Sequence, residues 1–230
     1  MIVCGQGETM SQTRAIRTVL FQGDSITDSD RGRQENDPFA SLGQGYVFLI
    51  AARLSAQMAR PDIHFLNRGV SGDRVSDLFA RWNEDAISVK PDLLSICIGV
   101  NDAWRSMDGL PSGATDRFAR AYCALLEETR EVLPQTGLVL CEPFILNTGA
   151  PAVKWLAWRE RLAEYQATVR ALATDFGAVR VPLQNAFDDA CSRAPAPFWL
   201  FDGVHPTPAG HQLMAQAWMD AVQESPLRIG

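Results

Sequence analysis

Three polar side chains have the types and spacing that nucleophilic chemistry needs. Ser25 follows an apolar run that ends at Gly23. A serine hydroxyl is a weak nucleophile, so it needs a neighbouring base. Asp202 lies three residues before His205, and Pro206 restricts that histidine to an extended backbone. At this spacing the aspartate can accept a hydrogen bond from Nδ1, which leaves Nε2 free to accept a proton. Spacing alone equally allows a turn serine and a turn-capping aspartate.

The other two histidines have contexts that favour structural roles. His64 alternates with apolar neighbours inside a predicted strand, which indicates a packed or edge position. His211 lies in the first turns of the last predicted helix, where a solvated or capping role is expected. His205 is therefore the histidine that we select as a candidate base.

An acyl-transfer site also needs hydrogen-bond donors for the oxyanion. Gly72 can bring its backbone N–H close to a substrate because it has no side chain. The side-chain amide of Asn101 offers a second donor, and the backbone N–H of Ser25 offers a third. Each such donor typically stabilises the transition state by about 3 kcal/mol. A turn glycine and a loop asparagine are the structural alternatives for the first two.

Short apolar runs alternate with helical patterns along the chain, which predicts an α/β fold with a parallel sheet between two helical layers. The predicted strands cover residues 18–22, 63–66, 93–98, 138–141 and 179–182. The predicted helices cover residues 45–57, 74–89, 116–133 and 153–176, and a last helix has Thr207 as N-cap and Pro208 in its first turn. Sites in such sheets form beyond the carboxyl ends of the strands, so the polar segments that follow the strands should converge there.

The composition argues against several classes of function. The chain of 230 residues has a formal net charge of −6, which disfavours binding to nucleic acid or anionic lipid. It has no apolar run of about 18 residues, so no membrane span is expected. The first residues lack the apolar core of a signal peptide. These features predict a single cytoplasmic domain over residues 1–230. Residues 1–15 are expected to be an extended or disordered N-terminus, and Met10 is a second possible start.

Cysteine usage and short motifs narrow the choice further. The five cysteines are widely spaced, which favours reduced thiols, and no Cys/His cluster has the spacing of a metal site. No glycine-rich phosphate loop follows the first strand, which argues against a nucleotide-binding module. The G-x-S-x-G elbow of common α/β-hydrolases is also absent, because Thr27 stands at the position of its second glycine.

Four segments in order resemble the SGNH (GDSL-type) hydrolase superfamily, and they span nearly the whole chain. These are GDSIT at 23–27, the glycine of SGD at 72, GVND at 99–102 and DGVHP at 202–206. The resemblance implies a three-layer α/β/α sandwich around a five-stranded, flavodoxin-like parallel sheet. It implies that Ser25 is the nucleophile, His205 the base and Asp202 its orienter. It also implies an oxyanion hole made by the N–H groups of Ser25 and Gly72 and the side chain of Asn101, without a metal or other cofactor.

A narrower resemblance is to serine carbohydrate esterases that remove acetyl groups from xylan or xylo-oligosaccharides. It rests on segments such as NRGVSGDRVSDL, IGVNDAWR and DGVHPTPAGH. It implies that Asp24, Trp104 and Phe201 contact the substrate, although core packing is an equal alternative for the tryptophan. Close relatives often carry Asn in place of Asp73 and Trp in place of Phe201. We expect the latter difference to alter the shape of the acyl pocket.

The resulting hypothesis is a serine esterase that hydrolyses small acyl esters, acetyl esters of xylo-oligosaccharides or related sugars above all. Its activity should rise with pH as His205 loses its proton, because only the neutral ring accepts a proton. There are two alternatives. One is a short-chain thioesterase or lysophospholipase, and the other is a catalytically inactive sugar-binding relative. Homo-oligomerisation is a further hypothesis, in which Trp155 and Trp158 pack either between subunits or in the core.

Overall fold

A computed structural model describes residues 16–34, 37 and 39–229, so the prediction for residues 1–15 lies outside the described residues. Its centre is a five-stranded parallel sheet with the order β2-β1-β3-β4-β5. The strands are β1 (Thr18–Gly23), β2 (His64–Asn67), β3 (Leu93–Cys97), β4 (Gly137–Cys141) and β5 (Val179–Val181). The predicted parallel sheet and its flavodoxin-like order are confirmed.

Helices cover both faces of the sheet and complete the predicted three-layer α/β/α sandwich. They are α1 (Ser25–Asp28), α2 (Tyr46–Met58), α3 (Val75–Ala80), α4 (Val100–Met107), α5 (Thr115–Val132), α6 (Gly149–Ala152), α7 (Trp155–Asp175), α8 (Leu183–Ala190), α9 (Ala196–Trp199) and α10 (Pro208–Gln223). Helix α10 packs against α2 and α8 in one layer, whereas α5 packs against α3 and α7 in the other. Every residue of β3 is buried, as expected for a continuous apolar run covered on both faces.

Strands β1 and β3 lie side by side in the sheet although β2 separates them in the sequence. Such a switch in strand order opens a crevice at the carboxyl ends of the two strands. Ser25 follows β1 directly, and Asn101 follows β3 in the first turn of α4. The switch point therefore brings two of the candidate residues to the same edge.

The structure differs from the predicted elements in two ways. The single helix expected over 74–89 is instead α3 followed by a π-helical turn, Asn83–Ile87, in which Ser88 N–H donates to the carbonyl of Asn83. The side chain of Gln22 donates to the carbonyl of Asp85 in this turn, which anchors the turn to the end of β1. Helices α1, α4, α6, α8 and α9 were not predicted.

None of the helices within the described residues is long and apolar enough to cross a membrane. The cysteines at 97, 123, 141 and 191 are free thiols, and Cys4 lies outside the described residues. The predicted location in the cytoplasm stays a prediction.

Candidate active site

Ser25 is presented by a sharp turn between β1 and α1. The N-cap residue Asp24 accepts a hydrogen bond of 3.1 Å from the N–H of Ile26, so the helix begins at the serine itself. A Cβ atom at Gly23 would collide with the carbonyl oxygen of Cys97 on the neighbouring strand. Glycine at that position therefore lets the turn sit close against the sheet, with Ser25 half-buried at its edge.

The structure brings Ser25, His205 and Asp202 into one hydrogen-bonded chain. Ser25 Oγ lies 2.9 Å from Nε2 of His205, and Nδ1 of the same ring lies 2.7 Å from Oδ2 of Asp202. The second carboxylate oxygen, Oδ1, accepts from the backbone N–H groups of Val204 and His205, at 2.9 and 2.7 Å. Partial burial opposes ionisation, but these hydrogen bonds outweigh it and lower the pKa of Asp202. An ionised Asp202 fixes the ring tautomer that leaves Nε2 free to accept a proton.

The loop that carries Asp202 and His205 is held mainly through its backbone. An isolated antiparallel bridge joins Leu200 to Pro206 across the loop. The N–H of Leu146 donates to the carbonyl of Gly203 at 2.9 Å. Gly149 has a φ of +58°, and a Cβ atom on it would collide with the carbonyl of Asp202. The segment around α6 thus packs so closely on the loop that only glycine fits.

The candidate oxyanion donors lie on two segments that are joined by hydrogen bonds. Asn101 Nδ2 donates to the carbonyl of Asp73 at 3.0 Å, which occupies one of its two N–H bonds and orients the other. Asp102 Oδ2 accepts from the N–H of Val75 at 3.1 Å. Gly72 has a φ of +88° with open space around it, so its conformation rather than crowding requires a glycine.

Two buried carboxyl groups, those of Asp24 and Asp102, adjoin the candidate donors Ser25 and Asn101 in the chain. Burial raises the pKa of Asp24 to about 7, with a further contribution from the charge of Asp102. Burial likewise raises the pKa of Asp102 to about 7. Asp24 is only 1% exposed and lines neither cavity at the site. Its position therefore corrects the expectation of a substrate contact, because its carboxylate serves instead as the N-cap of α1.

Two cavities meet at Ser25 and His205, and they differ in chemistry. An apolar recess of about 270 Å³ is lined in addition by Val100, Asn101, Trp104, Arg105 and Val204. A polar cavity of about 450 Å³ is lined in addition by Ile26, Asp28, Ser29, Asp30, Ser71, Phe201, Asp202, Pro206 and His211. Ser25 and His205 thus line both an apolar and a polar space.

The aromatic candidates divide between these cavities. Trp104 is half-buried in the apolar recess, and its ring centroid lies 5.0 Å from that of Trp158 behind it. Both of the roles considered for Trp104, packing and lining the site, therefore apply. Phe201 is 61% exposed and stacks against His205 with a centroid distance of 5.9 Å. Phe201 lines the polar cavity together with Ser25 and His205, and its contact with the substrate stays a prediction.

Several polar residues that line the two cavities were not identified from the sequence, among them Ser29, Asp30 and His211. The first two follow the serine motif directly and carry positive φ angles of 42° and 57°, which non-glycine residues seldom adopt. Their proximity to Ser25 in the chain was the available signal. His211 is 8% exposed rather than solvated, and its Nδ1 accepts a hydrogen bond from the N–H of Tyr46. The capping alternative for His211 is therefore correct, and the solvated one is wrong.

The tryptophans considered for subunit contacts also have defined positions. Trp158 is 5% exposed and belongs to the core of its own chain. Trp155 is half-buried, with the guanidinium of Arg159 lying 5.5 Å from its ring centroid. For Trp158, core packing is the correct alternative, and homo-oligomerisation stays a prediction.

Solved structures of related proteins share this architecture. A protein from Parabacteroides merdae described as a GDSL-like lipase superposes with a TM-score of 0.86 at 41% identity, covering 92% of this chain and 97% of that one. An acetylxylan esterase from Geobacillus stearothermophilus superposes with a TM-score of 0.81 at 32% identity, covering 93% and 97%. The latter has also been solved as catalytic mutants in which a serine, an aspartate or a histidine is replaced by alanine.

Sequence comparison gives the same relationship. The acetylxylan esterase of Geobacillus stearothermophilus is 35% identical over 209 residues, which cover 87% of this chain and 91% of the relative. An uncharacterized lipoprotein of Bacillus subtilis is 31% identical over 90 residues, or 39% of this chain and 37% of its own. Residues 21–213 match the GDSL-like lipase/acylhydrolase family. The chain therefore belongs to the GDSL-like lipase/acylhydrolase family, and it is a carboxylic ester hydrolase.

Proposed function

We propose that this hydrolase removes acetyl groups from hydroxylated sugars, in particular xylo-oligosaccharides, with Ser25, His205 and Asp202 as its catalytic triad. The observation that carries the proposal is the continuous hydrogen-bonded chain from Ser25 Oγ through the imidazole to the carboxylate, with distances of 2.9 and 2.7 Å. This is the arrangement by which a base activates a serine and a carboxylate orients the base.

In the first half of the reaction, Ser25 Oγ attacks the ester carbonyl carbon while its proton moves to Nε2 of His205. Asp202 stabilises the imidazolium that forms. The imidazolium then protonates the leaving alkoxy oxygen, and the acetyl group stays on the serine. In the second half, His205 takes a proton from water, the resulting hydroxide attacks the acyl carbon, and acetate leaves as the serine recovers its proton.

The negative charge on the carbonyl oxygen requires donors that are already in place. The backbone N–H groups of Ser25 and Gly72 and the free N–H of Asn101 supply them in this proposal. The hydrogen bond from Asn101 to the carbonyl of Asp73 supports the assignment, because it leaves the amide little freedom to rotate. A donor that needs no reorganisation stabilises the transition state more than a mobile one does.

The apolar recess supports a small acyl group. Trp104 forms one wall of the recess, and Trp158 packs behind that ring, so this wall has little room to move away from a longer chain. We assign the methyl group of acetate to this recess and the alcohol to the polar cavity. Rates on 4-nitrophenyl esters should therefore fall as the acyl chain grows from two to eight carbons. A higher rate on the octanoate ester would contradict the assignment.

The sugar assignment draws on the relatives. The acetylxylan esterase is related along nearly its whole length, and one of its variants is described as an acetyl-xylooligosaccharide esterase. The catalytic aspartate and histidine replaced in that enzyme lie three positions apart, which is the spacing of Asp202 and His205. The exposed face of Phe201 beside the polar cavity suits a sugar ring.

The test is acetate release from acetylated xylo-oligosaccharides, measured beside 4-nitrophenyl acetate, for the wild type and for Ser25→Ala. We expect both substrates to turn over and the variant to lose both activities by at least about 10³-fold. Ser192→Ala is the matched control, because Ser192 is an exposed residue after α8 whose hydroxyl donates only to Asp189. Full activity in Ser25→Ala would refute the mechanism.

The substrates separate the mechanism from the sugar assignment. Turnover of the nitrophenyl ester alone would leave the triad intact and refute the sugar substrate. A larger kcat/KM on acetyl thioesters or lysophospholipids than on acetylated sugars would favour the thioesterase or lysophospholipase alternative. No turnover of any ester, with the chain folded, would favour an inactive sugar-binding relative.

A further inference from the structure

We propose that His211 is a binding residue for the alcohol half of the ester, with its Nε2–H donating a hydrogen bond to a hydroxyl group on the leaving alcohol. The inference rests on the proposed function for the position of the ester at Ser25. It adds to that function a polyol subsite in the polar cavity, with a second histidine that takes no part in proton transfer.

The hydrogen bond at Nδ1 fixes the tautomer of the ring. The backbone N–H of Tyr46 lies 3.2 Å from Nδ1 of His211. A backbone amide only donates, so Nδ1 must present its lone pair. A neutral imidazole carries one proton, which must then be on Nε2. The first N–H of α2 has no cap from its own N-cap residue Gly45, so the histidine satisfies it from another helix.

Packing around the ring restricts its orientation. A Cβ atom at Gly45 would lie 2.8 Å from Cε1 of His211 and 2.7 Å from Oγ of Ser29. The absence of a side chain there gives the imidazole its place between α2 and α10. His211 is 8% exposed, so the ring has little freedom to turn and exchange its two nitrogens.

The remaining nitrogen is the one available to the cavity. Within the described part of the chain, Nε2 has no hydrogen-bond partner, whereas His211 lines the polar cavity together with Ser25 and His205. Since Nδ1 points to Tyr46, the opposite side of the ring remains for the ligand. Among the described residues, the hydroxyl of Tyr122 is the one fully enclosed side-chain polar atom without a hydrogen-bond partner, so Nε2 of His211 is open to the cavity and a substrate hydroxyl can accept from it.

The electrostatics fit a donor rather than a second base. Burial lowers the pKa of His211 to about 4, and the nearby charge of His205 adds to the effect. The ring is therefore neutral at neutral pH and does not repel the imidazolium that forms at His205 during catalysis. Protonation at Nδ1 would in addition break the hydrogen bond from Tyr46.

The other lining residues indicate the chemistry of the ligand. Ser29 and Ser71 offer hydroxyl groups, and the exposed carboxylate of Asp30 accepts hydrogen bonds from hydroxyls. Phe201 offers an aromatic face. A carboxylate at this place disfavours an anionic alcohol, so the subsite fits an uncharged polyol such as a sugar or glycerol.

Two substitutions of His211 separate its two nitrogens. In His211→Asn the short amide can still accept from the N–H of Tyr46 but does not reach the cavity. In His211→Gln the longer amide can place a donor near the position of Nε2. The substrates are glyceryl monoacetate and propyl acetate, which share the acyl group and a three-carbon alcohol but differ in two hydroxyl groups. The measured quantity is kcat/KM for glyceryl monoacetate divided by kcat/KM for propyl acetate. We expect His211→Asn to lower this ratio about tenfold, mainly by raising KM for glyceryl monoacetate. We expect His211→Gln to restore most of the ratio.

His64→Asn is the matched control, because His64 is exposed on β2 and lines neither cavity at the site. It should leave the ratio at the wild-type value. Thermal melting of each variant tells whether the fold is intact. An unchanged ratio in a folded His211→Asn variant, or equal losses on both esters, would overturn the proposal and leave His211 as a structural cap. Neither ester is a sugar, so the two proposals can fail separately. No turnover of acetylated xylo-oligosaccharides would refute the sugar assignment, whereas the ratio measured on the two small esters decides the role of His211.

Discussion

The two walls of the proposed catalytic cleft are held in place by different interactions. The nucleophile wall, which we define as Ser25, the 72–75 segment and Asn101, stands on the ends of buried strands. The base wall, which we define as the 202–206 loop, lies nearer the surface, and the side chains of Asp202 and His205 are each 40% exposed. The comparison indicates which kinds of change each wall tolerates.

Charged and polar side chains hold the nucleophile wall. Arg81 donates to the carboxylates of Asp73 and Asp85 at 2.8 and 2.7 Å, and to the side chain of Gln22 at 3.0 Å. Asp73 in turn orients Asn101 through its carbonyl. These groups are at most about one quarter exposed, so their interactions are screened less than those of surface ion pairs. The nucleophile wall should therefore be sensitive to changes of charge.

Close backbone packing holds the base wall. Gly149 leaves no room for a methyl group against the carbonyl of Asp202, and Gly203 none against the carbonyl of Thr148. A single backbone hydrogen bond from Leu146 joins the two segments at Gly203. The base wall should therefore be sensitive to added volume, and the internal hydrogen bonds of Asp202 should matter more than its net charge.

The largest effect is expected for Asp202→Asn within the base wall. An asparagine can still accept from the N–H groups of Val204 and His205 through Oδ1, but its Nδ2 would then face Nδ1 of the imidazole. The ring would have to place its proton on Nε2, which would face Ser25 and could not act as a base. We expect kcat to fall about 10³- to 10⁴-fold, measured on 4-nitrophenyl acetate. A loss below tenfold would show that the tautomer is not controlled by Asp202.

The next effect is expected for Asn101→Ala in the nucleophile wall. The change removes a proposed oxyanion donor, so kcat should fall about 10²- to 10³-fold with little change in KM. Because Asn101 also donates to the carbonyl of Asp73, Asn101→Asp is an informative second variant with nearly the same shape. It should be at least as inactive, since a carboxylate there would repel the oxyanion. Retained kcat in Asn101→Ala would remove this residue from the oxyanion hole.

A smaller but more diagnostic effect is expected for Gly149→Ala. The added methyl group would push against the carbonyl of Asp202 and displace the base wall, and a misplacement of about 1 Å costs roughly 10²-fold in rate. Gly177→Ala is the matched control, because Gly177 has a similar φ of +60° but open space around it. Both variants bear the same backbone strain, so only the first should lose kcat. Equal losses of activity would mean that strain, not contact with Asp202, is responsible.

Sequence reasoning places the segments of the nucleophile wall together for a simple physical reason. Strand and helix periods are local properties, and parallel strands place their carboxyl ends at one edge. The alternation of patterns therefore predicts that Ser25, Gly72 and Asn101 meet. The short apolar spacing of Leu183 and Phe187 was also visible and indicates a helix, although α8 was not predicted.

Burial at the site was not visible in the sequence, because it depends on which elements pack together. Asp24 adjoins Ser25 in the chain, yet its side chain is buried and caps α1. His211 has the polar context of a surface helix, but α10 packs on α2 and buries the ring. The division into an apolar recess and a polar cavity depends on Trp104 and Phe201, whose sides of the cleft are set by tertiary structure alone.

The smallest effect on turnover is expected for Asp24→Asn. Asp24 precedes Ser25, so this variant tests whether a charge next to the nucleophile wall changes the stability of the fold. The folded-state pKa of Asp24 is raised from 3.8 to about 7. Its protonated form thus stabilises the fold fully below pH 4, and this contribution is lost as pH rises from about 4 to 7. Over that range a single such group lowers the free energy of unfolding by about 1.4 kcal/mol per pH unit at most.

An asparagine at position 24 keeps the cap on Ile26 but cannot ionise. Urea unfolding at pH values from 4 to 8 should therefore give a shallower decline in stability for Asp24→Asn than for the wild type. A decline should persist in the variant, because burial also raises the pKa of Asp102 to about 7. Asp116→Asn is the control, since Asp116 is exposed on α5 and pairs with Arg120 at the surface. If the wild type and Asp24→Asn declined in parallel, the carboxyl group of Asp24 would not be the one that couples this wall to pH.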